Sequence, residues 1–235
     1  MVNVTFDQVR QSVLKKGYPF FENSKKDYNL NLIGIRNPNR TANSFDDTEV
    51  VAWVSPDGTK HIHLFPITTD PGLYYLNNPI SAGTAILKEG HYRGMWTLGK
   101  HKGAYDALVQ KNEVTVIRDF DRDGELDFNA PQSANPGKEM LVNGVKTVEW
   151  YDANGKLVWR VQTGLFGINN HRANENGKSV EVNKWSAGCQ VLQNRYDEKT
   201  KKYEYDFFIE ICKKAEASYG SSFSYTLINE NDLVK

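Results

Sequence analysis

The chain carries no excess of positive or negative charge. Across 235 residues, 29 Lys and Arg stand against 29 Asp and Glu, which leaves a formal net charge of zero. That balance supplies no electrostatic footprint for a nucleic acid, and no nucleic-acid motif is visible. No apolar run approaches the roughly 18 residues of a membrane-spanning helix. The first 20 residues lack a continuous apolar stretch ahead of a small-residue cleavage site, so the expectation is a chain without an export signal, made in the cytoplasm. Only two cysteines are present, Cys189 and Cys212, too few for a disulfide scaffold and therefore either inert or reactive. Phosphate-binding glycine loops, paired glycosidase carboxylates and internal repeats are also lacking, and no cofactor is expected.

What is present is apolar area. Hydrophobic residues make up 39% of the chain, with 11 Phe, 12 Tyr and 5 Trp, enough to build a core and to exclude disorder as the dominant state. The length fits one β-rich domain over residues 1–235, with 1–45 as an N-terminal helix and lead-in. Phe6, Val9, Val13 and Leu14 fall on one face at helical spacing, and Gly17 and Pro19 end the pattern. From Glu49 the period becomes two, and Ser55-Pro56-Asp57-Gly58-Thr59 turns Val51–Trp53 back into His61–Phe65 as a hairpin. Further strands are read at 84–87, 91–98, 114–117, 147–151 and 157–162, the last two flanking an Asp152–Gly155 turn. Tyr205, Phe208, Ile211, Cys212 and Ala215 share a helical face ahead of a final strand at 224–228. The fold class is mainly β (α+β), with short helices near both termini.

Chemistry concentrates in Gly167-Ile168-Asn169-Asn170-His171-Arg172 and in Ser186-Ala187-Gly188-Cys189-Gln190-Val191, with 14 residues between His171 and Ser186. A cysteine attacks a carbonyl as thiolate, so it needs a base and oxyanion donors close by. His171 on a neighbouring strand supplies the base. Gly188, without a Cβ, gives a substrate carbonyl room to approach backbone N–H groups at Gly188 and Cys189.

This pattern resembles the L,D-transpeptidase catalytic domain, known as the YkuD domain, whose signature is a His, a spacer of about this length, Ser/Thr-His-Gly-Cys, an apolar residue, and Asn or Arg. Residues 78–195, with Ala82-Gly83-Thr84 and Gly90-His91-Tyr92-Arg93-Gly94, form the part that resembles the catalytic core. The resemblance implies a β-sandwich-like fold with the cysteine at a sheet edge, and the peptide stems of peptidoglycan as substrate. It implies Cys189 as nucleophile, His171 as base, the Arg172 backbone carbonyl as the group that orients the ring, and Gly188 beside the oxyanion. Trp185, Ser186, Gln190 and Asn170 are the expected substrate contacts. Two positions depart from the signature: Ala187 replaces a His, and Val191 replaces the Asn or Arg. Arg172 or Arg195 is a candidate for the missing positive charge, since a guanidinium suits a carboxylate. By analogy, such a variant on a chain without an export signal implies action at the wall or periplasm after delivery by a phage lysis system or secretion apparatus.

The loop Asp119-Phe120-Asp121-Arg122-Asp123-Gly124-Glu125-Leu126-Asp127 has oxygen ligands at the spacing Ca²⁺ takes, but Ala130 stands where a closing acid belongs. A solvated hairpin turn is the reading taken. His61 and His63 share a strand face without a convincing third ligand, so no metal site is expected. His91 and His101 flank Trp96 and either line the cleft or serve the structure. Trp185 is either core or groove wall, and Cys212 is a core residue.

Overall fold

Helix α1 (Phe6–Lys15) forms where the apolar spacing places it. Thr5 caps it: its hydroxyl accepts from the Gln8 N–H, and the Gln8 side chain accepts from the Thr5 N–H, so two otherwise unpaired donors are satisfied. Phe6, Val9 and Val13 are buried, while Leu14, expected on the same face, lies outside it at 40% exposure. The computed structural model describes residues 1–22 and 25–235.

Strand β1 (Asn31–Arg36) is followed by the hairpin β2 (Asp47–Val54) and β3 (Lys60–Thr68). A short helix α2 (Leu73–Asn77) leads to β4 (Thr84–Leu87), β5 (Gly90–His101), β6 (Tyr105–Gln110) and β7 (Val114–Asp119). After two short pieces, β8 (Asn135–Pro136) and β9 (Met140–Val142), come the hairpin strands β10 (Val145–Tyr151) and β11 (Leu157–Gly164). The chemistry-bearing segments are β12 (Asn170–Arg172) and β13 (Gln190–Leu192). A small hairpin, β14 (Tyr196–Asp197) and β15 (Lys202–Tyr203), precedes helix α3 (Glu204–Tyr219) and the last strand, β16 (Phe223–Asn229).

Eight strands close into a barrel in the order β1-β16-β5-β6-β12-β13-β3-β2, and β4-β7-β11-β10-β8, with β9 beside β10, make a second, six-stranded sheet. The mainly-β class with short helices near both ends is therefore observed. In place of the expected sandwich the larger sheet is a closed barrel, because β1 pairs in parallel with the C-terminal β16 and leaves that sheet no free edge. One core holds barrel residues such as Met95, Trp96 and Leu108 together with Ala85, Leu87, Val114 and Val116 of the second sheet. The opposite face of that sheet packs Ile86 and Ile117 with Leu76, Leu126 and Trp159.

The lead-in 1–45 is part of the barrel, since β1 is a stave and α1 covers it through Ile33 and Ile35. Likewise the segment 78–195 does not close alone; β1, β2, β3 and β16 complete the ring. Among the described residues no helix is long and apolar enough to cross a membrane.

Candidate active site

Two three-residue strands build the site. β12 and β13 run parallel with Asn170 opposite Gln190 and His171 opposite Val191. Side chains alternate across a strand. Asn170 and Gln190, both fully buried, turn into the barrel, and the odd-numbered His171 and Val191 turn outward. Cys189, one residue before β13, packs with Val191, Ala173 and Val182, on the same outer side as His171. The strand pairing thus sets thiol and imidazole diagonally on one face.

The imidazole is held on three sides. Its Nδ1 lies 2.8 Å from the Arg172 carbonyl oxygen. A carbonyl only accepts, so Nδ1 carries the proton and Nε2 keeps its lone pair. The Tyr105 hydroxyl stands 3.3 Å from the same carbonyl and 3.3 Å from Nδ1. His101 stacks on His171 with ring centroids 4.0 Å apart. His101 is itself fixed: Asn169 Oδ1 accepts from the Gln110 N–H, so the Asn169 amide nitrogen donates to His101 Nδ1 at 3.3 Å. The Arg172 backbone carbonyl therefore fixes the orientation of the His171 ring.

Electrostatics keep both reacting groups neutral. Burial, then the neighbouring His101, push His171 down to about 3. Burial pushes the Cys189 thiol above its ordinary value, only partly offset by a backbone hydrogen bond from Asn169 and by the Lys102 charge. The thiol donates to the Gly167 carbonyl at 3.4 Å. Cys189 and His171 are thus set as thiol and imidazole rather than as an ion pair.

The loop before Cys189 differs from expectation in three ways. Ser186 is fully buried, donating to the Cys189 carbonyl at 2.8 Å and accepting from the Gly188 N–H at 3.1 Å. It closes the turn and offers nothing to a substrate. The Gly188 N–H is consumed by that bond, whereas the Cys189 N–H has no protein acceptor among the described residues. Gly188 is required for a different reason than substrate approach: at φ +118° a Cβ would sit 2.3 Å from the Ala85 carbonyl oxygen of β4. The glycine lets the nucleophile loop lie directly on the second sheet.

Gln190 and Asn170 are corrected as well. Gln190 accepts from the Tyr225 hydroxyl at 2.8 Å and donates to the Thr69 carbonyl at 3.3 Å inside the barrel. Asn170 has neither amide atom hydrogen-bonded and no exposed surface. Once His171 and Cys189 face outward, alternation forces their neighbours inward. Of the expected substrate contacts only Trp185 is at the surface, 44% exposed.

Neither arginine proposed to restore the missing charge is free. Arg172 pairs with Glu175 at 2.8 Å and lies over the Tyr105 ring; Arg195 grips Glu204 through Nε and Nη2. A third arginine, Arg118 of β7, borders the site unannounced by the sequence, because sheet-to-barrel packing alone brings it there. Tyr105 and Asn169 are further members of the site that motif spacing did not flag.

The remaining candidates lie elsewhere. His61 and His63 both stack on Trp53, at 4.5 and 5.6 Å. His91 binds the Thr226 hydroxyl, Nδ1 to Oγ1 at 2.9 Å. Cys212 is buried in the core. The acidic loop is no hairpin turn: Asp121 and Asp123 cap backbone N–H groups two residues on, Asp127 pairs with Arg40, and Leu126 anchors the segment in the second core. Among the described residues no group of three His, Cys, Asp or Glu is gathered as a metal ion would need.

The chain matches no protein-family model, no curated protein and no solved structure.

Proposed function

We propose that the protein is a cysteine acyl-transfer enzyme of the L,D-transpeptidase kind acting on peptidoglycan stem peptides. The observation that carries this reading is the diagonal placement of Cys189 and His171 on one outer face of β12 and β13, with His171 Nδ1 tied to the Arg172 carbonyl so that Nε2 is left as a base. A cysteine kept for packing needs no such partner. Cys212 has none.

In the proposed reaction Nε2 of His171 takes the thiol proton as the Cys189 sulfur bonds to the stem-peptide carbonyl carbon. The Cys189 N–H receives the developing oxyanion. The carbon–nitrogen bond then breaks, His171 returns the proton to the departing amine, and a thioester remains. Water attacking the thioester makes the enzyme a peptidase; an acceptor amine makes it a transpeptidase. Access to the wall through a phage lysis or secretion partner belongs to the same proposal.

The neutral state of both groups favours a second reading, a wall-binding module of the same fold with little or no turnover. Incubating the protein with purified peptidoglycan and identifying products by mass separates the two. Shortened or newly joined stems with the wild type, and none with Cys189→Ala, support the enzyme. Sedimentation with the wall and no products from either protein supports the binder.

A further inference from the structure

A cavity of about 250 Å³ opens beside the nucleophile loop, lined among others by Tyr75, Ile80, Arg118, Phe166 and Ala187. It adjoins the reacting groups on two sides. Ala187 stands two residues before Cys189, and Phe166 precedes Gly167, whose carbonyl accepts from the thiol. Its floor is fixed by β4, where Ala85 pairs with Arg118 across the sheet and offers its carbonyl under Gly188.

Arg118 is the unusual wall. It is 7% exposed, yet no carboxylate lies within ion-pair distance of it among the described residues. Other enclosed arginines are compensated: the buried Arg36 by Asp70 at 3.0 Å, and the partly buried Arg160 by Glu149 at 2.5 Å. Arg118 donates Nε to Gln162 at 2.8 Å and Nη1 to the Gly83 carbonyl at 3.2 Å, both neutral acceptors, and lies 4.7 Å over the Phe166 ring. A guanidinium has five N–H donors, so most of this one is unspent. A buried cation without a counter-charge is costly, and burial together with Arg160 pushes Arg118 down to about 10. An anion entering the cavity relieves that cost.

We propose that this cavity is the subsite for the C-terminal carboxylate of the acyl-donor peptide, bound by Arg118, with the terminal side chain against Tyr75, Ile80 and Phe166. The proposal rests on the reading of Cys189 as the acylating nucleophile. The cavity is smaller than the roughly 300–1,000 Å³ of sites that enclose whole ligands, so it takes the end of a chain rather than a chain passing through. It supplies the positive charge that Val191 does not, from a strand of the other sheet.

Binding is measured by calorimetry on the full chain carrying Cys189→Ala, which prevents turnover, with a synthetic stem tetrapeptide and its C-terminal amide. The acid is expected to bind about 10- to 100-fold more tightly than the amide, the range of a charged hydrogen-bonded contact. Adding Arg118→Gln is expected to remove the difference, and Arg118→Lys to keep part of it. Ala187→Leu, at an exposed position that leaves Arg118 packed, fills the cavity and is expected to remove the preference too, which covers the case in which Arg118→Gln does not fold. Equal binding of acid and amide, no binding of either, or a preference that survives Ala187→Leu overturns the subsite. Failure of the wild type to cleave the acid, with the Arg118-dependent preference intact, instead overturns the acyl-transfer reading and leaves the carboxylate site standing.

Discussion

The imidazole rings of His101 and His171 lie stacked, their centroids 4.0 Å apart and their planes inclined by 25°. Both rings are held below the ordinary histidine value, burial being the larger cause in each case; the second is the neighbouring His101 for His171 and the Lys102 charge for His101. With His171 down near 3 and the Cys189 thiol raised by burial, the neutral thiol and imidazole are favoured over a thiolate–imidazolium pair in the free protein. Alkylation of Cys189 by iodoacetamide is accordingly expected to be slow at neutral pH and to keep rising beyond pH 9, the ordinary thiol value. A rate plateau between about pH 5 and 8 would reveal a preformed ion pair and reverse this account. Cys212, fully buried, is expected to stay unlabelled in the folded protein.

Cys189→Ala and His171→Ala are each expected to remove turnover, and the double variant to be no worse than either, because nucleophile and base act as one unit. Circular dichroism is expected to stay native for Cys189→Ala. Cys212→Ala is expected to keep turnover while costing about 1 kcal/mol of stability through the small cavity it leaves in the core. Wild-type turnover by Cys189→Ala on purified wall fragments would sink the mechanism.

Gly188→Ala tests the seating of the nucleophile loop. A Cβ there meets the Ala85 carbonyl at 2.3 Å, and φ is +118°, where side chains are strained. The expected cost is about 3 kcal/mol, or loss of the loop's native position, with activity reduced at least about 100-fold. Chemical denaturation and peptide turnover measured on the same sample check both. Native stability with full activity would mean that the loop does not rest on β4.

The parts of the molecule legible in the sequence are those with one buried face or a marked turn. Helix α1 and the β10–β11 hairpin follow their apolar periods because solvent lies on the other side, whereas β2 is buried on both faces and the β2–β3 hairpin is legible through its Ser55–Thr59 turn. β1 was invisible: Ile33 and Ile35 sit under α1 while Leu32 faces the barrel core, so all six residues are buried and no alternation survives. β12 and β13 are three residues each, too short for a period. His171 and Cys189 could be paired from their spacing, but not Tyr105, Asn169 or Arg118, which join the site only through barrel closure and sheet packing. Asn170 and Gln190 were within reach of reasoning, since strand alternation turns both inward as soon as their neighbours face the substrate.

Glu49 should impose a pH dependence on stability. Its carboxylate lies inside the barrel with no exposed surface and neither oxygen hydrogen-bonded, and burial raises it to about 8. Because the folded value lies above the ordinary 4.5, the folded state holds this proton more tightly. The contribution is complete below pH 4.5 and is lost as pH rises through 8. Glu49→Gln is expected to flatten the fall in melting temperature between those limits and to be the more stable protein at pH 8. Asp47, also raised, by burial and by the neighbouring Asp70, adds a dependence of the same sign, so the informative quantity is the difference between wild type and variant. Parallel curves would place the Glu49 carboxylate in contact with water.

The fate of the thioester turns on what surrounds it. An acceptor amine must outcompete water at about 55 M, which requires a held acceptor and excluded solvent. The two positions where the resembling family carries polar groups beside its cysteine offer neither here. Ala187 contributes a methyl group to the cavity beside the loop, and Val191 is fully buried against Ala173 and Val182. Arg172 and Arg195, the nearby cations, are engaged by Glu175 and Glu204. Meanwhile the groups proposed to form the thioester, Cys189 and His171, are in place, with the Arg172 carbonyl holding the ring. Positioning of a second peptide is therefore weakened more than acylation, and hydrolysis is expected to exceed cross-link formation. With disaccharide tetrapeptide as the only substrate, mass analysis is expected to find shortened stems as the main product. Accumulation of new dimers instead would mean that an acceptor is held by residues outside this constellation, and the charged cleft lined by Lys100, Asp106, Glu210 and Lys213 alongside Arg172 would be the place to look for them.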